Sequence, residues 1–180
     1  MIERFHAIYD GCIQREGSRE LKQWLLATDF FKAPASTKFH EAYEGGLVEH
    51  SVHVYDELIR LLKAYPGLNV SPETAAIVSL LHDVCKADSY KVEYRNRKND
   101  FGVWEKYPAY TFKEDFCFGG HGSKSVFLIQ QFMPLSREEA VAINCHMGAV
   151  NGDWSIADAF RAYPLSFLVH TADMAATIEF

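Results

Sequence analysis

Ser79-Leu80-Leu81-His82-Asp83-Val84-Cys85-Lys86 places adjacent histidine and carboxylate side chains at the end of an otherwise apolar predicted helix. Leucine and valine side chains favour burial, and a carboxylate buried beside them costs free energy unless another group pairs with it. A divalent metal would satisfy His82 and Asp83 together. The alternative is a His-Asp pair that only caps a turn at the end of a helix. This stretch alone does not separate the two interpretations.

The composition of the 180-residue chain, with 48% hydrophobic residues, is that of an ordinary globular protein. Its length favours one domain, residues 1–180, with a substantial core. The net charge of −6 disfavours a general nucleic-acid binder. No export signal or membrane-spanning run is found, so we expect a cytoplasmic protein without membrane contact. The cysteines form no CxxC pair, which predicts reduced thiols at Cys12, Cys85, Cys117 and Cys145.

Periodic apolar residues predict helices along most of the chain. Ser18 is the predicted N-cap after a break near Gly17, and Ser136 with Glu139 forms a predicted capping box. Ser71 and Pro72 begin a helix that reaches His82-Asp83. The predicted helices cover 2–28 with the break, 47–65, the segment from Ser71-Pro72 to His82-Asp83, 120–134, Ser136 to near His146, a short helix after Trp154, and a last helix with Pro164 in its first turn.

Residues 88–118 differ from this helical pattern. Alternating aromatic and polar residues from Tyr90 to Tyr94 predict a strand, and Asn99 to Gly102 offers a turn before a second strand from Trp104 to Phe112. The chain is therefore predicted to be an all-α bundle with a small inserted β-hairpin. Because the insertion lies between Asp83 and His121, we expect a lid whose aromatic side chains stack on a substrate.

Six polar residues stand among apolar neighbours on the predicted helices. Taken singly, each histidine is better explained as a hydrogen-bonded core or surface residue. His82 and Asp83 would lie about 100° apart on a helix, so both reach one point only if it lies between them. His50 and Asp173 would arrive from other helices, as in the metal sites of helical bundles. Together, in this order, the six favour a metal site: His50, His82, Asp83, His121, His146 and Asp173.

The order of these residues resembles a known family. The segment Gly45-Gly46-Leu47-Val48-Glu49-His50-Ser51 resembles the Gly-Gly-Leu-x-x-His signature of the HD-domain phosphohydrolase superfamily. His82-Asp83 resembles the pair that names that superfamily, with Lys86 in the following turn. Gly120-His121, His146 and Ala172-Asp173 look like its remaining members. The resemblance spans roughly residues 30–175 and implies one HD-domain helical bundle with the hairpin as an addition.

The resemblance also implies how a metal would be held. His50, His82, Asp83 and Asp173 would bind a first metal, and Asp83 would bridge to a second metal held by His121 and His146. Mixed imidazole and carboxylate ligands suit one or two divalent ions of Fe, Mn, Zn, Ni or Co. A metal-bound hydroxide would be the nucleophile. Asp83 and Lys86 would be catalytic, and both Lys86 and His40 are predicted to contact the substrate.

The function that follows is a metal-dependent phosphohydrolase acting on a small phosphorylated substrate, a nucleotide-like or other phosphomonoester or phosphodiester. A di-iron oxygenase on the same scaffold is the first alternative, and dependence on iron and O₂ would separate the two. A non-catalytic binding module is the second alternative. It is disfavoured because a degenerate domain would have lost some of the six residues.

Overall fold

The computed structural model describes residues 1–38, 40–113, 118–149 and 155–178. Over these ranges the chain forms eight α-helices and one antiparallel pair of strands, so it is mostly helical with a small sheet. Cys117 and Trp154 lie outside the described residues. The elements are α1 (Ile2–Cys12), α2 (Ser18–Ala27), α3 (Gly46–Ala64), α4 (Pro72–Leu80), β1 (Tyr90–Lys98), β2 (Trp104–Phe112), α5 (His121–Gln130), α6 (Arg137–Asn144), α7 (Ser155–Ala162) and α8 (Pro164–Ala176).

Local capping signals place several helix ends where the sequence predicts them. The Ser71 hydroxyl accepts a hydrogen bond from the Thr74 N–H at the start of α4. Ser136 and Glu139 form the capping box of α6, and Pro164 is the first residue of α8. The prediction that Ser18 caps α2 is wrong. Gly17 is the N-cap instead, with a left-handed backbone (φ +85°). A Cβ at this position would lie 1.9 Å from the backbone oxygen of Phe132, in the turn that follows α5.

The core lies between α3 and the helices that pack around it. Helix α3 packs against α1, α4 and α8, and α8 in turn packs against α6 and α7. The apolar stripe of α3 is fully buried at Leu47, Val54 and Leu58. Helix α4 is buried along nearly its whole length, from Ala75 to Leu80. A helix that is apolar on all sides has no solvent face, so α4 delivers its C-terminal end to the middle of the protein.

The insertion between α4 and α5 forms the predicted hairpin. Its register pairs Tyr90 with Phe112 at the base and Lys98 with Trp104 near the turn. The Asn99 side-chain oxygen closes the turn by accepting the N–H groups of Phe101 and Val103. Only the base packs against the core, whereas most side chains toward the turn are exposed. The hairpin is thus anchored at one end.

Two predictions from composition can be compared with the structure. None of the described helices combines the length and apolar character needed to cross a bilayer. Within the same part of the chain, Cys12, Cys85 and Cys145 form no disulfide.

A buried ion pair links the N-terminal helices to the rest of the bundle. The Arg15 guanidinium donates to both carboxylate oxygens of Glu139, at 2.7 and 2.8 Å, and also reaches Glu73 at 3.1 Å. Glu139 is completely buried. Burial alone would raise the pKa of Glu139, but the hydrogen bonds from Arg15 and Ser136 outweigh it and lower that pKa. The pair therefore stabilises the fold above the unfolded-state pKa of glutamate, and this contribution is lost as pH falls through the lower folded-state value.

We expect Arg15→Ala to lower the free energy of unfolding by about 3 kcal/mol, because Glu139 would be left as an uncompensated buried charge. Urea denaturation at pH 7 would measure the loss. Arg4→Ala is the matched control, since the Arg4–Asp56 pair is exposed and should contribute less than about 1 kcal/mol. Equal effects of the two substitutions would contradict a structural role for the buried pair.

Candidate metal centre

His82 and Asp83 follow α4 in a tight turn and are not part of the helix. The prediction that both lie on a helix is therefore wrong. Helix α4 ends at Leu80, and Leu81 closes it by donating its N–H to Ile77. The His82 ring then bonds the carbonyl of Ser79, 2.7 Å from Nδ1, so this carbonyl is satisfied without a further helical turn. The change of direction lets both side chains point into one buried space.

His146 enters the same buried space, and its ring is held by the same kind of hydrogen bond to a backbone carbonyl. Helix α6 ends at Asn144, and His146 Nδ1 lies 2.7 Å from the carbonyl oxygen of Ile143, three residues earlier. A carbonyl oxygen only accepts, so Nδ1 carries a proton in both His82 and His146. The Nε2 atoms of the two rings therefore face the buried space. Such hydrogen bonds to the outer nitrogen are characteristic of metal-binding histidines.

His50 and Asp173 enter from the two packed helices α3 and α8. His50 Nε2 lies 2.9 Å from Asp173 Oδ1, and both side chains are buried. His82 Nε2 lies 3.7 Å from the same Asp173 oxygen. Burial lowers the pKa of His50 to about 4 despite its hydrogen bond to Asp173. That hydrogen bond, in turn, outweighs burial and holds the pKa of Asp173 below its ordinary range.

The candidate ligands form two adjoining groups, and in each group one nitrogen or oxygen atom of every residue lies within 4.8 Å of those of the others. One group is His50, His82 and Asp173, and the other is His82, Asp83 and His146. The Nε2 of His146 lies 3.5 Å from Asp83 Oδ1. His82 belongs to both groups, whereas the expectation from the resemblance gave the shared position to Asp83. His121, at the first position of α5, stands outside both groups.

The residues present suit a divalent metal. The Nε2 atoms of His82 and His146 are buried and have no hydrogen-bond partner, an arrangement that is costly unless a further group occupies the space. Burial alone would lower the pKa of His82, but the carboxylates of Asp83 and Asp173 outweigh it and raise that pKa. The carboxylates thus favour a positive charge at this point, and a bound metal would take the place of the proton.

Lys86 lies beneath Asp83 in the 3₁₀ turn that follows it. Its Nζ is 2.6 Å from Asp83 Oδ2 and 2.6 Å from the carbonyl oxygen of Ala35. Burial alone would raise the pKa of the Asp83 carboxyl, but Lys86 and His82 outweigh it and hold that pKa well below its usual range. Asp83 is therefore ionised and fixed in position. The predicted contact between Lys86 and a phosphate would be additional to these two hydrogen bonds.

A cavity of about 440 Å³ opens onto the cluster. His40 and His121, the two predicted site residues outside the two groups that contain His82, both line this cavity together with Asp83, Lys86 and Asp173. The His40 ring lies 4.9 Å from the His50 ring, between centroids. Burial lowers the pKa of both His40 and His121, so each ring is neutral at pH 7. Two neutral imidazoles can donate hydrogen bonds to an anionic substrate without adding charge.

The hairpin contributes only its base to this cavity. Tyr90 and Phe112 line the wall, whereas Trp104 pairs with Lys98, eight residues along the strand from Tyr90. That separation corresponds to about 26 Å of extended chain. Of the hairpin aromatics that were expected to stack on a substrate, Tyr90 and Phe112 therefore lie at the cavity and Trp104 does not. Tyr110 packs against the core beside Tyr90.

Glu41 is a residue of this centre that the sequence did not indicate. Its Oε2 lies 3.6 Å from His50 Nδ1, on the side of the ring opposite Asp173, and its Oε1 lies 3.4 Å from His53 Nδ1. Glu41 sits in an irregular connection, where no periodic pattern marks a side chain as buried. The sequence feature that comes nearest to indicating Glu41 is Gly46, because a Cβ at Gly46 would lie 2.0 Å from the Glu41 carbonyl oxygen.

Comparison with known proteins found one informative relative. The chain is similar to dihydroneopterin 2',3'-cyclic phosphate phosphodiesterase of Methanocaldococcus jannaschii, with 33% identity over 83 residues. The similarity covers 44% of this chain and 31% of the relative, so the matched part spans less than a third of that protein. No family model and no solved structure matches the chain.

If the two groups hold a metal, His82→Ala should abolish that binding, because His82 alone belongs to both. We expect Mn²⁺ or Co²⁺ to raise the unfolding temperature of the wild type by mass action and to leave His82→Ala unchanged. Differential scanning fluorimetry of protein stripped with a chelator would measure the shift. His6→Ala is the control, because His6 packs against Phe31 away from the cluster. Equal metal-induced shifts in wild type and His82→Ala would contradict the assignment.

Proposed function

We propose that the protein is a metal-dependent phosphohydrolase of the HD type, and that residues 1–180 form a single HD domain. The observation that carries the proposal is the buried cluster of three histidines and two aspartates at the end of a cavity. Unpaired imidazole nitrogens beside ionised carboxylates are ligands for a divalent transition metal. The similarity to a cyclic phosphate phosphodiesterase over 44% of the chain supports phosphate-ester hydrolysis.

We assign the metal ligands as His50, His82, Asp83, His146 and Asp173, with His121 as a sixth ligand if two metals bind. Fe, Mn, Zn, Ni and Co all suit this donor set. A bound metal would polarise a phosphoryl oxygen and lower the pKa of a coordinated water. We place Asp83 between the two metal positions, because its two oxygens face His82 and His146 separately.

We propose two roles for Lys86. It holds the Asp83 carboxylate in place through a 2.6 Å ion pair, and its side chain lines the cavity in which the substrate would lie. An ammonium group has three N–H donors, and Asp83 and the Ala35 carbonyl use two of them. The third can donate to a phosphate oxygen. His40 is proposed to contact the substrate from the same wall.

The substrate of the proposed reaction is a small phosphomonoester or phosphodiester. A cavity of about 440 Å³ is in the lower part of the range for small-molecule sites and admits no folded macromolecule. The cytoplasmic location expected from the sequence is compatible with such a substrate and remains a prediction.

Asp83→Asn should lower hydrolysis of bis-p-nitrophenyl phosphate and p-nitrophenyl phosphate by at least about 100-fold, because the amide has no charge to offer a metal or Lys86. The assay uses wild-type and variant protein reloaded with Mn²⁺, Fe²⁺ or Co²⁺. Asp158→Asn is the control, since Asp158 is an exposed residue of α7.

Two results would contradict the proposal. Undiminished hydrolysis by Asp83→Asn would remove the cluster from the reaction. A turnover that requires Fe²⁺ and O₂, and stops under anaerobic conditions, would assign the protein to the oxygenase alternative.

A further inference from the structure

Resting on the proposed function, we infer that the substrate carries a single phosphate group joined to an uncharged planar ring system. The cavity beside the cluster is lined by side chains of two kinds. The ionisable ones are His40, Asp83, Lys86, His121 and Asp173. The large apolar and aromatic ones are Tyr90, Phe112, Met147 and Met174.

The ionisable residues of the lining provide for only one phosphate. Lys86 is the single lysine or arginine that lines the cavity within the described residues, and it is already paired with Asp83. Diphosphates and triphosphates carry further negative charges that proteins bind with additional cationic side chains or helix N-termini. A second phosphate in the cavity would find no further lysine or arginine among the described lining residues. Burying that charge without a partner would cost binding free energy.

The apolar residues of the lining include an aromatic pair that suits a flat group. The Tyr90 and Phe112 rings are directly opposite each other in the hairpin register, with centroids 5.0 Å apart and planes inclined by 28°. The Tyr90 hydroxyl donates to the Ala35 carbonyl at 3.3 Å, and this hydrogen bond fixes the Tyr90 ring. The less buried Phe112 ring packs on it, lies 6.3 Å from the His121 ring between centroids, and lines the cavity. Met147 and Met174 add flexible side chains that adapt to the edge of a planar ligand.

The test compares kcat/KM for AMP, 2',3'-cyclic AMP, ADP, ATP and glycerol 3-phosphate with metal-loaded protein. We expect one or both of the adenosine monophosphates to exceed ADP, ATP and glycerol 3-phosphate by at least about tenfold. Phe112→Leu should lower kcat/KM for the preferred adenosine ester by about tenfold, the scale of one lost stacking contact, and leave that for glycerol 3-phosphate unchanged. Tyr94→Leu is the matched control, because Tyr94 is an exposed aromatic residue of the same hairpin.

Failure of this inference can be distinguished from failure of the proposed function. If p-nitrophenyl phosphate and its diester are hydrolysed but ADP or glycerol 3-phosphate matches the adenosine monophosphates, the substrate assignment is overturned and the hydrolase stands. A Phe112→Leu effect of equal size on every substrate would also overturn it, because the ring would then serve only the fold.

A different observation supports a second proposal, that Glu41 is a positioning residue for His50. Three buried polar atoms without a hydrogen-bond partner meet on the outer side of the cluster: His40 Nε2, Glu41 Oε2 and His50 Nδ1. One nitrogen or oxygen of each residue lies within 4.8 Å of the others. Unpaired buried groups are costly, so their convergence needs a cause.

The cause lies in the single proton of the neutral His50 ring. Without a metal, Asp173 is 2.9 Å from Nε2 and keeps the proton on that nitrogen. A metal bound by His50 and Asp173 requires the Nε2 lone pair, so the proton must move to Nδ1. There it faces Glu41 Oε2 at 3.6 Å, and a carboxylate in this position favours the tautomer that can bind metal.

The backbone holds Glu41 where this task needs it. Glu41 has a left-handed backbone conformation (φ +39°). Its carbonyl accepts a hydrogen bond from the Ala35 N–H at 3.0 Å. The same carbonyl lies so close to Gly46 that no side chain fits there. His53, one turn after His50 on α3, approaches the other carboxylate oxygen at 3.4 Å.

Co²⁺ titration of metal-free protein tests the role, with affinity, stoichiometry and the visible absorption spectrum as readouts. Glu41→Leu should raise the Co²⁺ dissociation constant about 10-fold to 100-fold and change the spectrum, while the number of ions bound stays the same. Glu41→Gln should restore most of the affinity, because its amide oxygen still accepts from Nδ1–H. Glu44→Leu, an exposed position in the same connection, is the control.

Two outcomes would overturn this proposal. Loss of one bound ion in both Glu41 variants would make Glu41 a ligand itself. Unchanged affinity and spectrum in Glu41→Leu would show that the ring of His50 needs no carboxylate behind it.

Discussion

The burial of two carboxylates among histidines is the constraint on which the rest of the structure depends. Asp83 and Asp173 are nearly inaccessible to solvent, in the middle of a bundle of about average hydrophobicity. Ionised groups in such a place require partners, and each has them: Lys86 and two imidazoles for Asp83, and His50 with His82 for Asp173. The lowered pKa of both carboxyls means that the protein retains negative charge here, ready for a cation.

The bundle provides this arrangement through the way its helices end. Helices α4 and α6 both stop about two residues before a histidine, and in both cases the ring bonds a carbonyl of the last turn. The interaction satisfies a carbonyl that lost its helical partner and also fixes the ring. Gly122 allows α5 to approach the end of α6, since a Cβ there would lie 2.5 Å from the carbonyl oxygens of Ile143 and Asn144. The ends of these helices therefore determine both how the helices pack and how the histidine rings are oriented.

The proposed chemistry and the proposed selectivity follow from one distribution of charge. Among the described residues, Lys86 is the only lysine or arginine that lines the cavity, and it is engaged with Asp83, so a bound metal would be the main attraction for a phosphate. The hairpin base contributes the aromatic side chains of Tyr90 and Phe112 to the cavity wall, and Met147 and Met174 contribute sulfur-containing side chains. The rest of β1 and β2 does not line the cavity.

The sequence by itself determined what depends on neighbouring residues: the capping of α4 and α6, the start of α8, the hairpin with its turn, and the set of polar residues stranded among apolar ones. Caps, turns and periodic stripes are encoded within a few positions, so they can be predicted without the fold. Tertiary structure alone decided that His82 and Asp83 leave the helix, that His82 is shared by both ligand groups, and that His121 stands apart. It also placed Glu41 beside His50 and Trp104 away from the cavity. These features depend on contacts between residues far apart in the chain, such as His50 and Asp173, which are 123 positions apart, and no local pattern specifies such contacts.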